Sequence, residues 1–189
     1  MNHVLYGLIA GHRYRRQLGR LFAESPVQGT TDVDLARLRQ DGARALVFDF
    51  DGVLAPHAAE FPLEETRGVL ARALDLFGSG HVYILSNKPS AARRDFFAQY
   101  FPGIAFIGGV RKKPYPDGLQ KVAELGGYDP SAIVLLDDRL LTGGLASLLA
   151  DTKFSYISRP YADFSRNFLK EFFFAVLRRF EAALARWAV

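Results

Sequence analysis

The sequence contains no cysteine. This absence excludes thiol catalysis, disulfide bonds and zinc sites with thiolate ligands. No apolar run approaches the roughly 20 residues that a bilayer-spanning helix needs. Near the start, the positive charges follow the short apolar run of residues 1–10 instead of preceding it, so a cleaved signal peptide is not expected. Internal repeats and low-complexity segments are also missing. A cytoplasmic globular protein is the default expectation.

The charge of the chain is unevenly distributed. The 189 residues are 49% hydrophobic and 23% charged, which is typical of one soluble domain with a real core, and the net charge is +4. The basic excess lies near both ends of the sequence: Arg13, Arg15, Arg16, Arg20, Arg166, Lys170, Arg178, Arg179 and Arg186. Basic termini favour an anionic partner surface, either a membrane or a nucleic acid, although simple solubility explains the charge equally well.

Short apolar runs alternate with segments of helical periodicity over the middle of the chain. The runs predict strands over 45–51, 82–85, 104–107, 132–136 and 154–157. Helices are predicted over 32–40, with Asp32 as the cap, and over 63–77, 90–100 and 116–125. This alternation predicts an α/β fold with a doubly wound, Rossmann-like parallel sheet.

The first predicted strand runs into two aspartates and a glycine. Asp49 and Asp51 are two residues apart at the carboxyl end of the strand, so their side chains are expected to reach one site. Two neighbouring carboxylates repel one another unless a cation or a proton compensates them. Gly52 permits a sharp turn and a close approach of its N–H to a bound anion. A simple Asp-Gly turn would need only one aspartate and would leave Asp49 unexplained.

Polar side chains also follow the next three strands. Ser86 and Asn87 can hydrogen-bond a phosphoryl oxygen, and Lys113 can hold phosphate as a point charge. Asp137 and Asp138 follow the fourth strand and offer hard oxygen ligands of the kind that Mg²⁺ prefers. Each signal alone is weak, but all of them fall at the same edge of the predicted sheet.

In this order, the motifs resemble those of the haloacid dehalogenase superfamily, which consists mostly of magnesium-dependent phosphatases. The similarity is greater to one branch, the YqeG-like proteins and the mitochondrial phosphatidylglycerophosphate phosphatases. Three stretches carry it, 43–54, 110–121 and 132–144. The basic aromatic tail after Arg159-Pro160-Tyr161 is similar too.

The resemblance implies a role for each motif residue. Asp49 would be the nucleophile that forms an aspartyl-phosphate, and Asp51 would be the general acid and base. Ser86 would bind a phosphoryl oxygen, and Lys113 would neutralise charge on the nucleophile and the phosphoryl group. Asp138 would hold Mg²⁺ together with Asp49 and Asp51.

The chain departs from the branch at one position of the metal motif. The branch usually has a second acid five residues after the aspartate that aligns with Asp138, and here that position is Gly143. Asp137 stands where the branch has a glycine, so it is an alternative source of the missing carboxylate. If Asp137 does not replace it, the chain is a catalytically silent relative.

The spacing of the motifs leaves no room for a folded cap domain. Only a crossover helix fits between Asp51 and Ser86, and less chain separates Ser86 from Lys113. We therefore predict a capless core over 31–162, an N-terminal basic and aromatic arm over 1–30 and a C-terminal amphipathic helix over 163–189. An open site suits a phosphate carried by a large molecule.

The C-terminal helix carries one apolar stripe: Leu169, Phe172, Phe173, Val176, Leu177, Phe180, Leu184 and Trp187. Basic and acidic residues surround the stripe, and only Phe174 breaks the pattern. The stripe could pack onto the sheet, as in an ordinary surface helix. Alternatively, it could lie in a membrane interface, with arginines on anionic lipid.

Together these patterns predict a phosphoric monoester hydrolase that uses Mg²⁺ and associates peripherally with the membrane. The expected reaction converts phosphatidylglycerophosphate to phosphatidylglycerol, a step of phospholipid biosynthesis. The alternatives are a nucleic-acid-end or nucleotide phosphatase and a catalytically silent membrane- or partner-binding relative. Nucleic acid is the less favoured partner because the aromatic residues of the tail form a helical stripe and not an exposed stacking array.

Overall fold

The computed structural model describes residues 3–188 of the chain. Its centre is one sheet of five parallel strands in the order β3-β2-β1-β4-β5. The strands are β1 (Ala45–Phe48), β2 (Val82–Leu85), β3 (Ile104–Ile107), β4 (Ile133–Asp137) and β5 (Lys153–Tyr156). The helices are α1 (His3–Arg13), α2 (Arg15–Glu24), α3 (Leu35–Gln40), α4 (Glu64–Phe77), α5 (Ala91–Tyr100), α6 (Asp117–Gly126), α7 (Leu145–Leu149) and α8 (Phe164–Trp187), with a π-helical turn at Leu140–Gly144. The predicted Rossmann-like α/β fold is confirmed.

The strands are apolar because both faces of the sheet are covered. Leu46 and Phe48 point to one face, where α3, α4 and α5 pack on them. Ala45 and Val47 point to the other face, against α6 and α7. Alternation of side chains along β1 thus divides its residues between two separate hydrophobic clusters.

The topology places the carboxyl end of β1 at the centre of one sheet edge. β1 pairs with β2 on one side and with β4 on the other, so the chain order reverses at this strand. Ligands of open α/β sheets bind at such a switch point, because the loops after the two neighbouring strands diverge there. Between Asp51 and Ser86 the chain forms a loop, α4 and β2, with no further domain among these residues.

Two predicted boundaries need correction. The first strand ends at Phe48 and not at Asp51, because the chain turns before the second aspartate. The cap of α3 is Asp34 and not Asp32, since the Asp34 carboxylate accepts a hydrogen bond from the Arg37 N–H at 2.9 Å. Asp32 instead accepts from the N–H of Gly29 at 2.7 Å.

The helices near the two ends of the described chain pack together beside β5. Residues 3–13 and 15–24 form helices α1 and α2. They share a third hydrophobic cluster with the π-helical turn, β5 and α8, which includes Ala10, Leu18, Leu140, Leu145, Tyr156 and Ala185.

Helix α8 has its two glutamates inside and most of its large apolar residues outside. Glu171 and Glu181 are buried, with 0% and 3% of their surface exposed. Seven of the eight residues of the predicted stripe are exposed, and Leu177 is half-buried: the exposed ones are Leu169, Phe172, Phe173, Val176, Phe180, Leu184 and Trp187. The alternative in which the stripe packs onto the sheet is therefore wrong, because the side of α8 that faces the protein carries Glu171, Glu181 and Ala185 instead of the stripe. No helix in residues 3–188 combines the length and the apolar character that crossing a membrane requires.

Candidate active site

Asp49 and Asp51 follow β1 and line one cavity of about 410 Å³. The backbone N–H of Asp49 still donates to the Leu136 carbonyl of β4 at 2.9 Å, which fixes the first carboxylate between the two strands. Three residues after Asp49 the chain turns at Gly52, whose φ of +86° is a left-handed conformation that favours glycine.

Gly52 also makes room for Asp138. A Cβ atom on Gly52 would lie 2.5 Å from the Asp138 carboxylate oxygen Oδ2. The Gly52 N–H, which the sequence analysis assigned to an anion, instead donates to the Ala55 carbonyl at 2.7 Å. The visible contribution of Gly52 to the site is therefore steric.

The buried ammonium of Lys113 joins two carboxylates. Its Nζ lies 2.9 Å from Asp49 Oδ1 and donates a short hydrogen bond to Asp137 Oδ2. Burial alone would lower the pKa of Lys113, but the charges of Asp137 and Asp49 outweigh burial and raise it. Lys113 is therefore a permanently charged partner of Asp49.

The Asn87 amide holds the backbone of Lys113. Asn87 Oδ1 accepts from the Lys113 N–H at 2.8 Å, and Asn87 Nδ2 donates to the Lys113 carbonyl at 3.3 Å. Both polar ends of the amide are thus bonded to one residue. Asn87 lines the cavity, but in this structure it positions the lysine.

Asp137 occupies the space that a side chain at position 143 would fill. A Cβ atom on Gly143 would overlap the Asp137 carboxyl group. The other oxygen of Asp137 accepts from the Arg139 N–H at 2.9 Å. The carboxylate that pairs with Lys113 therefore comes from position 137 in this chain, and Gly143 makes this arrangement possible.

Three carboxylates, those of Asp49, Asp137 and Asp138, have oxygen atoms within 4.8 Å of one another. Burial is the largest influence on two of them. It raises the pKa of Asp49 to about 8, partly offset by Lys113, and that of Asp138 to about 7, partly offset by Arg178. Buried oxygen donors with too little positive charge around them fit a hard divalent cation such as Mg²⁺.

Sequence reasoning did not predict Arg93, which lies on α5. Its guanidinium donates to Asp51 Oδ1 at 2.8 Å and to the Ala59 carbonyl at 2.7 Å, and it stacks 3.7 Å from the centre of the Phe50 ring. It also donates to Ser86 Oγ at 3.4 Å. Arg93 thus joins the second aspartate to the serine.

Helix α8 contributes three of the charged residues that surround its apolar stripe in the sequence. Arg178 donates to Asp138 Oδ2 at 2.7 Å, and Glu181 accepts from the N–H of Leu140 at 2.9 Å and also pairs with Arg139. Glu171 accepts two hydrogen bonds from His57. The presence of two glutamates in the middle of an aromatic helix was the sequence feature that could have indicated these contacts. The partners of the three α8 residues, however, lie 40 residues or more away along the chain.

The cavity has a polar floor and apolar walls. Asp49, Asp51, Lys113 and Asp138 contribute to it, and the walls include Leu8 of α1 and several residues of α8, namely Phe173, Phe174, Leu177 and Phe180. The cavity thus connects the carboxylates with the exposed apolar residues of α1 and α8.

Comparisons with known proteins give no family. No protein-family model matches the chain, and no curated protein shows significant similarity to it. An uncharacterized protein from Corynebacterium glutamicum is 24% identical with a TM-score of 0.47, and the match covers 73% of this chain and 96% of that one. A provisionally assigned phosphoglycolate phosphatase from Lactobacillus delbrueckii is 23% identical with a TM-score of 0.37, and the match covers 46% of this chain and 37% of that one.

Proposed function

We propose that the protein is a magnesium-dependent phosphatase that hydrolyses phosphomonoesters through an aspartyl-phosphate. The observation that carries this proposal is the convergence of Asp49, Asp51, Lys113 and Asp138 on one cavity at the switch point of the sheet. The Asp49 carboxylate contacts Lys113, and the neighbouring Asp51 carboxylate contacts Arg93. Such a pair can divide the roles of nucleophile and proton carrier.

In the first step, an oxygen of Asp49 attacks the phosphorus atom, and the bond from phosphorus to the leaving oxygen breaks. Asp51 gives its proton to that oxygen, so the product leaves as a neutral alcohol. Lys113 stabilises the negative charge on the phosphoryl oxygens, and Ser86 donates a hydrogen bond to one of them. Fixed charges of this kind provide most of the catalysis in phosphoryl transfer.

In the second step, water attacks the phosphorus atom of the aspartyl-phosphate. Asp51, now a carboxylate, accepts a proton from the water, and the bond between Asp49 and phosphorus breaks. Inorganic phosphate leaves, and both aspartates return to their starting states. Arg93 holds Asp51 at the cavity through both steps.

Asp49 and Asp138 are the residues that would hold the cation, together with the backbone of Asp51. When bound, Mg²⁺ supplies charge neutralisation on the phosphoryl oxygens. Asp137 belongs to the same cluster but is committed to Lys113 and to the Arg139 N–H, so we assign it to holding the lysine.

The surroundings of the cavity favour a lipid phosphate as the substrate. Exposed apolar residues of both α1 and α8 line the cavity, namely Leu8, Phe173 and Phe180. Together with the other exposed apolar residues of these two helices we call them the apolar surface: Leu5 and Ile9 of α1, and Leu169, Phe172, Val176, Leu184 and Trp187 of α8. The exposed charged residues of α1, α2 and α8 are basic or histidine, apart from Glu24, because both glutamates of α8 are buried. An apolar surface with a basic border matches an anionic bilayer.

We therefore propose phosphatidylglycerophosphate as the substrate and phosphatidylglycerol as the product, formed at the cytoplasmic membrane surface. This lipid is an anionic phosphomonoester, so its acyl chains can stay in the bilayer while its terminal phosphate enters the open cavity. The apolar walls between the surface and the carboxylates suit this route.

The test is phosphate release from phosphatidylglycerophosphate in mixed micelles, with and without Mg²⁺, for the wild type and for Asp49→Asn. A 5′-phosphorylated oligonucleotide and an aryl phosphate serve as comparison substrates. We expect magnesium-dependent turnover of the lipid that the substitution abolishes. Turnover of the oligonucleotide alone would refute the lipid assignment, and a folded protein without any turnover would refute the phosphatase.

A further inference from the structure

A histidine that the proposed mechanism does not use is built into the wall of the same cavity. His57 lies in the loop between β1 and α4 and lines the cavity together with Asp49 and Asp51. Only 5% of its surface is exposed. In the sequence it had no recognisable partner.

Helix α8 fixes this histidine at three points. Glu171 Oε1 accepts from the His57 backbone N–H at 2.9 Å, and Oε2 lies 3.0 Å from the ring nitrogen Nδ1. The ring of Phe174 stacks on the imidazole at 3.9 Å with an angle of 10° between the planes. Backbone, ring edge and ring face are therefore all held by residues of one helix.

Burying Glu171 beside His57 costs more free energy than a purely structural contact needs. Glu171 is fully buried, and a buried carboxylate loses more hydration energy than a single ion pair normally returns. An apolar residue in its place would pack against the loop at a lower cost. A buried acid that orients an imidazole at a cavity wall instead resembles the way proteins fix the tautomer of a functional histidine.

The orientation leaves one polar atom for the cavity. Because Nδ1 carries the hydrogen that bonds to Glu171, Nε2 of the neutral ring is a hydrogen-bond acceptor. His57 lines the cavity, and within residues 3–188 its hydrogen bonds use the backbone N–H and Nδ1 but not Nε2, so Nε2 remains available to a molecule that enters the cavity. Burial lowers the pKa of His57, partly offset by Glu171 and Asp51, which favours the neutral ring.

The position of His57 on the cavity wall places it beside the leaving group. Asp49, Lys113 and Asp138, which act on the phosphoryl group, form the polar floor of the cavity, whereas Phe174, which stacks on His57, belongs to its apolar wall. In the proposed reaction, the leaving alcohol extends from the phosphoryl group on the floor along this wall. The part of the substrate next to His57 is then the alcohol that departs and not the phosphoryl group.

We infer that His57 is a specificity-determining residue whose Nε2 accepts a hydrogen bond from a hydroxyl group of the leaving alcohol. The site would thus select phosphomonoesters of polyhydroxy alcohols, in which a free hydroxyl neighbours the ester carbon. This inference rests on the proposed function. It adds a rule for choosing among lipid phosphates that the apolar surface by itself does not give.

Two lipids that differ in the leaving alcohol test it. Phosphatidylglycerophosphate carries a free hydroxyl next to the ester carbon, and phosphatidic acid with the same acyl chains does not. kcat and KM are measured for both in the same Mg²⁺-containing micelles. The key variant is His57→Asn, which keeps a donor at the place of Nδ1 and removes Nε2.

We expect His57→Asn to lower kcat/KM for phosphatidylglycerophosphate about 10- to 100-fold, the usual loss when a buried hydrogen bond to a substrate hydroxyl is removed. Turnover of phosphatidic acid should stay within about twofold, which also shows that the variant is folded. His57→Gln, whose amide reaches the place of Nε2, should lie between the wild type and the asparagine variant. This variant decides the question if His57→Asn does not fold. His81→Asn is the matched control, because His81 is hydrogen-bonded to Tyr128, and it should leave kcat/KM for both lipids unchanged.

An equal fall for both lipids, or no change for either, would overturn the role of His57 while leaving the phosphatase intact. A wild-type protein that hydrolyses neither lipid would remove the proposed function and this inference with it.

Discussion

The outward-facing residues of α8 allow a sharp test of membrane binding. Leu169 is 82% exposed and Phe172 is 54% exposed, and neither lines the cavity. The double substitution Leu169→Ser and Phe172→Ser should therefore leave the fold and the chemistry of the site unchanged. It should weaken only the contact with lipid.

The magnitude follows from the exposed area. A phenylalanine side chain offers roughly 200 Å², so the exposed part of Phe172 is about 100 Å² and is worth about 2.5 kcal/mol at ~25 cal/mol per Å². Leu169 adds about 2 kcal/mol on the same basis. Because an interfacial helix inserts only in part, we expect about half of the sum, or ~2 kcal/mol, which is a roughly 30-fold loss of vesicle binding.

The assay is cosedimentation with vesicles that contain phosphatidylglycerol, together with urea unfolding of each variant. Leu125→Ser is the control, because Leu125 is 61% exposed on α6, away from the apolar surface. The free energy of unfolding should change by less than about 0.5 kcal/mol in both proteins. Unchanged vesicle binding of the double variant, or an equal loss in the control, would refute the orientation of α8 toward the bilayer.

Three further predictions concern the site. Gly143→Asp should abolish Mg²⁺ binding in isothermal titration calorimetry, because the Cβ atom of the new aspartate would overlap Asp137 and disturb the carboxylate cluster. Gly143→Asp combined with Asp137→Gly should restore binding, because position 143 then supplies the carboxylate that position 137 has lost. Failure of this double variant to bind Mg²⁺ would contradict the idea that a carboxylate at position 137 replaces one at position 143. Arg93→Lys should lower kcat about 10-fold or more, since one ammonium cannot replace the bonds of the guanidinium to Asp51, and unchanged phosphate release would contradict this role. In the metal-free protein, the pKa of Asp49 is raised from 3.8 to about 8, so folding favours its protonated form, and this contribution to stability is lost as the pH rises toward 8. Mg²⁺ should therefore raise the melting temperature more at pH 8 than at pH 6, and calorimetry that shows the opposite order would contradict the assignment of Asp49 as a ligand.

The fold was largely predictable because its signals are local. Each central strand is a short apolar run bounded by turn residues, and the alternation with helices specifies a parallel sheet. Predicted boundaries failed where a local choice had near-equal candidates, as with Asp32 and Asp34 for the cap of α3. Which of two nearby aspartates caps a helix depends on the other contacts that each carboxylate makes in the fold.

The sequence predicted which residues gather at the candidate site but not which contacts each of them makes there. The carboxyl ends of parallel strands meet at one edge, so the polar residues after them were expected to gather there. What Asn87 does was not visible in the sequence, since its partner is the backbone of Lys113. The commitment of Asp137 to that lysine depends equally on the space left by Gly143.

The sequence by itself determined the sheet, the position of the site and the polar groups that line it, because these follow from side-chain periodicity and from the geometry of parallel strands. Only the tertiary structure decided which way α8 faces. Its hydrophobic stripe predicted two opposite packings, and the buried pairs of Glu171 with His57 and Glu181 with Arg139 select the one that leaves the stripe outside. Partners more than 40 residues apart meet through the fold alone, so no local pattern carries that information.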